Sequence, residues 1–196
     1  MLSKQQIRKE IRMKRQSLSI IESEFAGKRV YQNLNQYSPL FRAKKIACYL
    51  PNDGEVSLSF LIDKLLARKK NPCLPVLFGY RKRVMHFAAY SPSSAMKNNK
   101  YGIPEPAIPI KRQIKPVELD IVLLPLVAFD EKGNRLGMGG GFYDRSFSFL
   151  HRRKFNRKPK LVGVAYDFQQ MDNLSRDSWD VPLDAVVTES RLIKIT

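Results

Sequence analysis

The sequence is expected to fold as a three-layer α/β domain, a largely parallel sheet flanked by helices. Three observations predict this Rossmann-like arrangement. Short apolar runs of strand length alternate with amphipathic helical patterns. Hydrophobic residues make up 43% of the 196 residues, enough for a sizeable core. No internal repeat or disordered linker interrupts the chain, so 1–196 reads as a single domain.

The elements follow in order. Ser3 with Gln6, and Ser19 with Glu22, form the pattern of two capping boxes, each opening a helix. The first helix places Ile7 and Ile11 on one face and repeats Lys4, Arg8 and Arg12 at four-residue spacing on another. The second runs to about Gln36, with Phe25 and Leu34 among its apolar positions. Ile46 to Leu50 is a buried-strand run that stops at Pro51. Ser57 begins an amphipathic helix, in which Leu58, Leu61, Ile62, Leu65 and Leu66 keep one face apolar. Cys73 to Leu77 and Val84 to Tyr90 read as strands around the basic turn Arg81-Lys82-Arg83. Residues 91–118, rich in Pro, Ser, Asn and Lys, read as a long surface loop. Ile121 to Phe129 is the most apolar strand. Phe142 to about Arg153 is a helix, and Leu161 to Tyr166 and Ala185 to Thr188 complete the sheet.

Composition narrows the function classes. No apolar run reaches the ~18 residues of a membrane span, and the chain opens into a charged helix rather than the apolar core of a signal peptide. Cys48 and Cys73 both lie in strand-like runs and read as buried free thiols, which points to the cytoplasm. The net charge of +17 raises the possibility of a nucleic-acid partner. Yet residues 1–50 carry 11 basic against 3 acidic groups, while residues 101–150 balance at 6 against 6. The excess is spread, and no helix-turn-helix, zinc-finger or aromatic RNA-binding pattern accompanies it. The expectation is a monomer with no specific nucleic acid and no membrane partner. His86 and His151 read as structural or solvated, and two scattered His and two Cys give no zinc spacing.

Five of the ten glycines fall between Gly133 and Gly141, directly after the most apolar strand and before a helix. Such a loop is either a structural turn or a cradle of backbone N–H groups that lets a phosphate approach closely. Positive φ is expected within it, at Gly140 among others. Neither the P-loop ending nor the G-x-G-x-x-G spacing is present. The flanks favour a ligand: Arg135 can meet a phosphate, Asp144 can hold Mg²⁺, and Phe142 and Tyr143 offer aromatic faces.

The stretch Leu123-Leu124-Pro125-Leu126-Val127-Ala128-Phe129-Asp130, followed by Gly133-Asn134-Arg135-Leu136-Gly137-Met138-Gly139-Gly140-Gly141-Phe142-Tyr143-Asp144-Arg145, resembles the signature of the 5-formyltetrahydrofolate cyclo-ligase family. Lys4 to Arg8, Leu50 with Glu55, Tyr101 to Pro106 and Trp179 to Glu189 extend the resemblance along the chain. It implies ATP- and Mg²⁺-dependent closure of 5-formyltetrahydrofolate to 5,10-methenyltetrahydrofolate, with release of ADP and phosphate. The small-molecule substrate would be a reduced folate, including polyglutamylated forms. By the same resemblance, Lys4, Gln5, Gln6, Ile7 and Arg8 contact ATP together with Arg135, Leu136, Gly137, Met138, Gly139, Gly140, Gly141, Phe142 and Tyr143. Leu50, Glu55 and the segment Met138 to Phe142 contact the folate, Asp144 and Asp180 bind the metal, and Arg135 and Tyr143 are the expected catalytic residues. Relatives can carry Arg and Lys where this chain has Met138 and Gly140, so other basic groups would neutralise phosphate or glutamate charge here. Taken without the resemblance, Glu55 reads equally as a turn residue after Pro51-Asn52-Asp53-Gly54, and Asp180 as a turn cap before Val181-Pro182. The rival readings are a different ATP-dependent enzyme on the same scaffold, acting on another anionic substrate, and an RNA-binding protein on a catalytically silent version of the same fold.

Overall fold

The computed structural model describes residues 3–78, 83–153 and 158–195. Both N-terminal capping boxes form: α1 spans Lys4–Gln16 behind Ser3, and α2 spans Ile20–Leu34 behind Ser19. A short α3 (Ser38–Arg42) leads to β1 (Lys45–Ala47), α4 (Ser59–Ala67), β2 (Asn71–Phe78) and β3 (Val84–Ala89). A ribbon of β4 (Met96–Asn98) and β5 (Pro104–Pro106) precedes β6 (Ile121–Pro125), the hairpin β7 (Ala128–Phe129) and β8 (Arg135–Leu136), and α5 (Phe142–Phe147). The chain closes with β9 (Lys160–Val164), β10 (Ala185–Val187) and β11 (Leu192–Lys194).

Seven strands form the main sheet, in the order β11-β10-β9-β6-β1-β2-β3. Its five inner strands are parallel and both edge strands antiparallel. Strands buried on both faces are apolar at every position, and β6 shows why. Ile121 and Leu123 join Val30, Leu34, Leu61 and Leu65 of α2 and α4 on one face. Val122 and Leu124 join Phe147 and Leu150 on the other. A third cluster sets Ile7 and Ile11 of α1 against Val127, Ala128 and Leu136 of the hairpin.

Several expectations need correction. The run 121–129 is not one strand. After Pro125 it leaves the sheet, Val127 N–H donates to the Leu136 carbonyl at 2.7 Å, and β7 pairs with β8. Buried Asp130 fixes the turn, accepting from the amides of Lys132, Asn134 and Leu174. The helix expected to reach Arg153 is α-helical for 6 residues and continues as a 3-10 turn, Ser148–Arg152. The surface loop 91–118 contains the β4–β5 ribbon and two 3-10 turns, and Glu105, 5% exposed, ties it to β2 by accepting from Leu77 N–H at 3.0 Å. Phe25 is exposed rather than apolar-packed. Of the basic turn, Arg81 and Lys82 lie outside the described residues. No helix among the described residues is long and apolar enough to cross a membrane. Cys48 and Cys73 are free and buried as expected, and burial raises both thiols well above their ordinary range.

Candidate active site

Sheet order places the site. From β1 the chain moves one way to β2, then returns to place β6 on the other side of β1. Connections that diverge from adjacent parallel strands leave a crevice beyond the strand ends. The segment after β1 supplies Tyr49, Leu50 and Glu55 to that crevice, and the chain after β6 supplies the glycine loop. The resulting cleft has a volume of about 960 Å³, within the range of small-ligand sites. Helix α1 closes one side with Lys4 and Arg8, and the loop before β10 adds Asp177, Trp179 and Asp180.

Arg135 forms the floor at the glycine-loop end. Its side chain is 7% exposed and ion-paired with Asp144, while its second terminal nitrogen donates to the Val181 carbonyl. Val181 N–H donates back to Asp144 Oδ1 at 3.2 Å. Burial lowers the guanidinium's pKa, opposed by Asp144, Asp180 and Tyr143, and arginine remains charged throughout the physiological range. Arg8 Nε donates to Gly137 O at 2.9 Å, and Arg145 donates to Gly140 O at 2.9 Å. Two arginines therefore hold the carbonyl side of the loop. The positive φ expected at Gly140 falls instead at its neighbours, Gly139 (φ 89°) and Gly141 (φ 65°), the latter as the left-handed N-cap of α5. With α5 so short, the anion-attracting groups here are the loop N–H groups and the nearby cations more than a helix dipole.

The carboxylates fit one expected ion. Asp144 commits Oδ1 to Arg135 and Val181, and Asp180 commits Oδ2 to the Asp177 amide at 2.9 Å. Each retains a second oxygen. Among the described residues no group of three or more His, Cys, Asp or Glu is placed to hold a metal. That donor set suits Mg²⁺, which takes much of its coordination from phosphate and water.

Around Glu55 the cleft is lined largely by apolar groups, Leu50, Leu74 and Pro75 among them, with Asn52 as its polar neighbour. Glu55 accepts from Asn52 N–H at 3.1 Å and donates its own N–H to Asn52 O. Burial lifts its carboxyl from 4.5 to about 7, offset only in part by Asn52 and Arg15. Tyr143 lies between the two ends. Burial pushes its phenol far up, so at neutral pH it keeps its proton and is available as a donor rather than a base.

Most sequence-predicted residues converge: Lys4, Arg8, Leu50, Glu55, Arg135 to Asp144 and Asp180 all line this cleft. Three do not. Gln6 is spent on the capping box, Ile7 is core, and Gln5 faces a shallower groove along α1. Asp177, which pairs with Lys4 at 3.0 Å, was not foreseen as a site residue, nor were Asn52, Tyr101 and Trp179. Tyr101 and Trp179 carry a usable signal, being large exposed aromatics inside stretches that already bear the family resemblance. His86, stacked on Phe78, and His151 lie outside the cleft.

A glycine-loop cleft at the switch point of a parallel sheet, lined by buried to exposed cations and by carboxylates, marks the candidate ligand site of an α/β protein. The comparisons make this specific. The model of the 5-formyltetrahydrofolate cyclo-ligase family matches residues 1–189. The chain belongs to that family and is a ligase. It is similar to the 5-formyltetrahydrofolate cyclo-ligase of Haemophilus influenzae, 44% identical over 92% of this chain and 94% of the relative. The enzyme of the same name from Escherichia coli K12 is 36% identical over 93% and 98%. Among solved structures, the Aquifex aeolicus 5,10-methenyltetrahydrofolate synthetase superposes with a TM-score of 0.81 at 34% identity, covering 99% of this chain and 93% of that one. A Mycoplasma pneumoniae 5,10-methenyltetrahydrofolate synthetase gives 0.71 at 28% identity, with 96% and 99% covered.

Proposed function

We propose that this chain closes 5-formyltetrahydrofolate to 5,10-methenyltetrahydrofolate, consuming ATP with Mg²⁺ and releasing ADP and phosphate. The observation that carries the reading is one cleft lined both by a fixed cation, Arg135, at the glycine loop and by a half-buried carboxyl, Glu55, on the segment after β1. A formamide oxygen is a poor leaving group. Transfer of the γ-phosphoryl group to it makes it leave as phosphate when the N10 amine attacks the formyl carbon. Such transfer needs positioning and charge stabilisation rather than a protein nucleophile. Arg135, Arg8 and Lys4 supply positive charge, and the loop N–H groups hold the phosphates. Mg²⁺, held by Asp144 and Asp180, would neutralise phosphate charge. Glu55, in its ionised form, accepts hydrogen bonds from the pterin N–H edge, and Leu50 and Met138 to Phe142 line the folate's path. Protonated Tyr143 donates to the reacting centre.

The same proposal takes 1–196 as one domain carrying both ligands, working as a cytoplasmic monomer without a specific nucleic-acid partner. Mixing the protein with ATP, Mg²⁺ and 5-formyltetrahydrofolate should produce the absorbance of methenyltetrahydrofolate. A folded protein that produces none under these conditions refutes the reading.

A further inference from the structure

On α1 the buried face runs Ile7, Ile11, Arg15, so the third step of an apolar stripe is a cation. Arg15 is 2% exposed, and its Nε is buried without a hydrogen-bond partner. An arginine in that position is costly unless its charge is used. Among the described residues its one ion pair is to Asp53, Nη2 to Oδ2 at 3.0 Å, and Arg12 and Gln16 grip the same carboxylate at 2.7 Å each. Asp53 and Gly54 both have positive φ, and a Cβ on Gly54 would meet the Arg15 carbonyl at 2.9 Å. The turn that carries Glu55 is therefore pressed against α1 and clamped there through Asp53.

We propose that Arg15 is a positioning residue: with Asp53 it anchors the turn 52–55 from behind and holds the Glu55 carboxyl at the folate end of the cleft. The inference rests on the role given to Glu55 above. Among the described residues four ionisable groups act electrostatically with that carboxyl: Arg15 from α1, Asp53 from its own turn, Tyr49 from the chain after β1, and Tyr143 from α5. Both tyrosines stay neutral, so the two charged neighbours set the electrostatic balance. Arg15 lowers the Glu55 pKa and Asp53 raises it. Removing one or the other must then shift it in opposite directions.

The test uses Arg15→Met and Asp53→Asn in the full chain, Asn being among the residues that tolerate positive φ. Glu55 is titrated by NMR of protein labelled with ¹³C-glutamate, with Glu55→Gln identifying its signal. This readout needs no turnover. The Glu55 midpoint should rise in Arg15→Met and fall in Asp53→Asn. In assays, Arg15→Met should raise KM for 5-formyltetrahydrofolate about tenfold at pH 7, the size of one lost charge-assisted interaction, and leave KM for ATP within about twofold. An unmoved midpoint in both variants, or shifts of the same sign, overturns the proposal, as does an equal rise in both KM values. If Arg15→Met does not fold, Asp53→Asn alone decides, since an upward or absent shift there refutes it. Opposite shifts without any cyclo-ligase turnover in the unmodified protein would retire the proposed reaction instead, and with it the folate role of Glu55.

Discussion

At the glycine-loop end of the cleft, Arg135 is buried beside Asp144 and a backbone carbonyl, so its charge is fixed at every physiological pH. At the β1 end, Glu55 is half-buried with one backbone amide and a cation that touches Asp53 rather than Glu55 itself, and desolvation raises its carboxyl to about 7. A partnered buried charge is a permanent electrostatic feature. One left to desolvation is a proton-sensitive one. The difference suits the two ligands of the proposed function: phosphates are anionic throughout the physiological range, whereas a pterin edge is neutral and meets an acceptor only when the carboxyl has ionised.

The sharpest way to break this contrast is to unpair the fixed end. Asp144→Asn leaves a guanidinium that is 7% exposed without its counter-charge, which should cost about 3 kcal/mol of unfolding free energy by urea titration. Turnover should fall at least about a hundredfold, the scale of lost charge stabilisation at a reacting group. An Asp144→Asn variant as stable as the parent would show that the pair does not hold the floor together.

Glu55→Gln probes the other end. A carboxyl whose folded pKa lies above its unfolded one destabilises the fold, since the native state binds more protons over the interval between them. The cost is absent below about 4.5, grows as pH rises, and levels off above about 7. That interval corresponds to roughly 3 kcal/mol, so Glu55→Gln should be the more stable protein at pH 8 and equal to the parent near pH 4. Thermal melts across that range that run parallel would place the Glu55 titration elsewhere.

Smaller effects sharpen the loop's share. Arg8→Ala loses both its charge and the bond to Gly137 O and should weaken ATP by about 1.5–3 kcal/mol. Gly140→Val puts a branched side chain where even a Cβ meets the Phe142 ring at 2.9 Å, and should weaken ADP about tenfold by calorimetry. Parental affinity in either variant would remove that residue from the phosphate cradle.

Several local signals read correctly. The two capping boxes and the stripe of α4 need only residues three or four apart, and the glycine loop carries most of its site residues in one stretch. Long-range pairing was not legible. Leu126 and Val127 are as apolar as the strand before them, and only the pairing of Val127 with Leu136 and the buried Asp130 turn show that the strand has ended. The β4–β5 ribbon is exposed on its first strand, so it gives no burial pattern to read. Arg8 and Gly137 lie 129 positions apart, and only the family resemblance linked them. Arg15 was hidden in plain view, as a cation at a core position whose partner turn the pattern could not place.

Helix α1 carries Lys4 at the proposed nucleotide end of the cleft and Arg15 behind the proposed folate end, roughly 16 Å apart along its axis at 1.5 Å per residue. It is one rigid rod touching two binding regions, with Ile7 and Ile11 seated on the hairpin between them as a fulcrum. A ligand that settles the rod at one end removes part of the ordering required at the other. By thermodynamic reciprocity the second ligand must favour the first by the same factor, so under the proposed function ATP and folate would assist each other whichever arrived first.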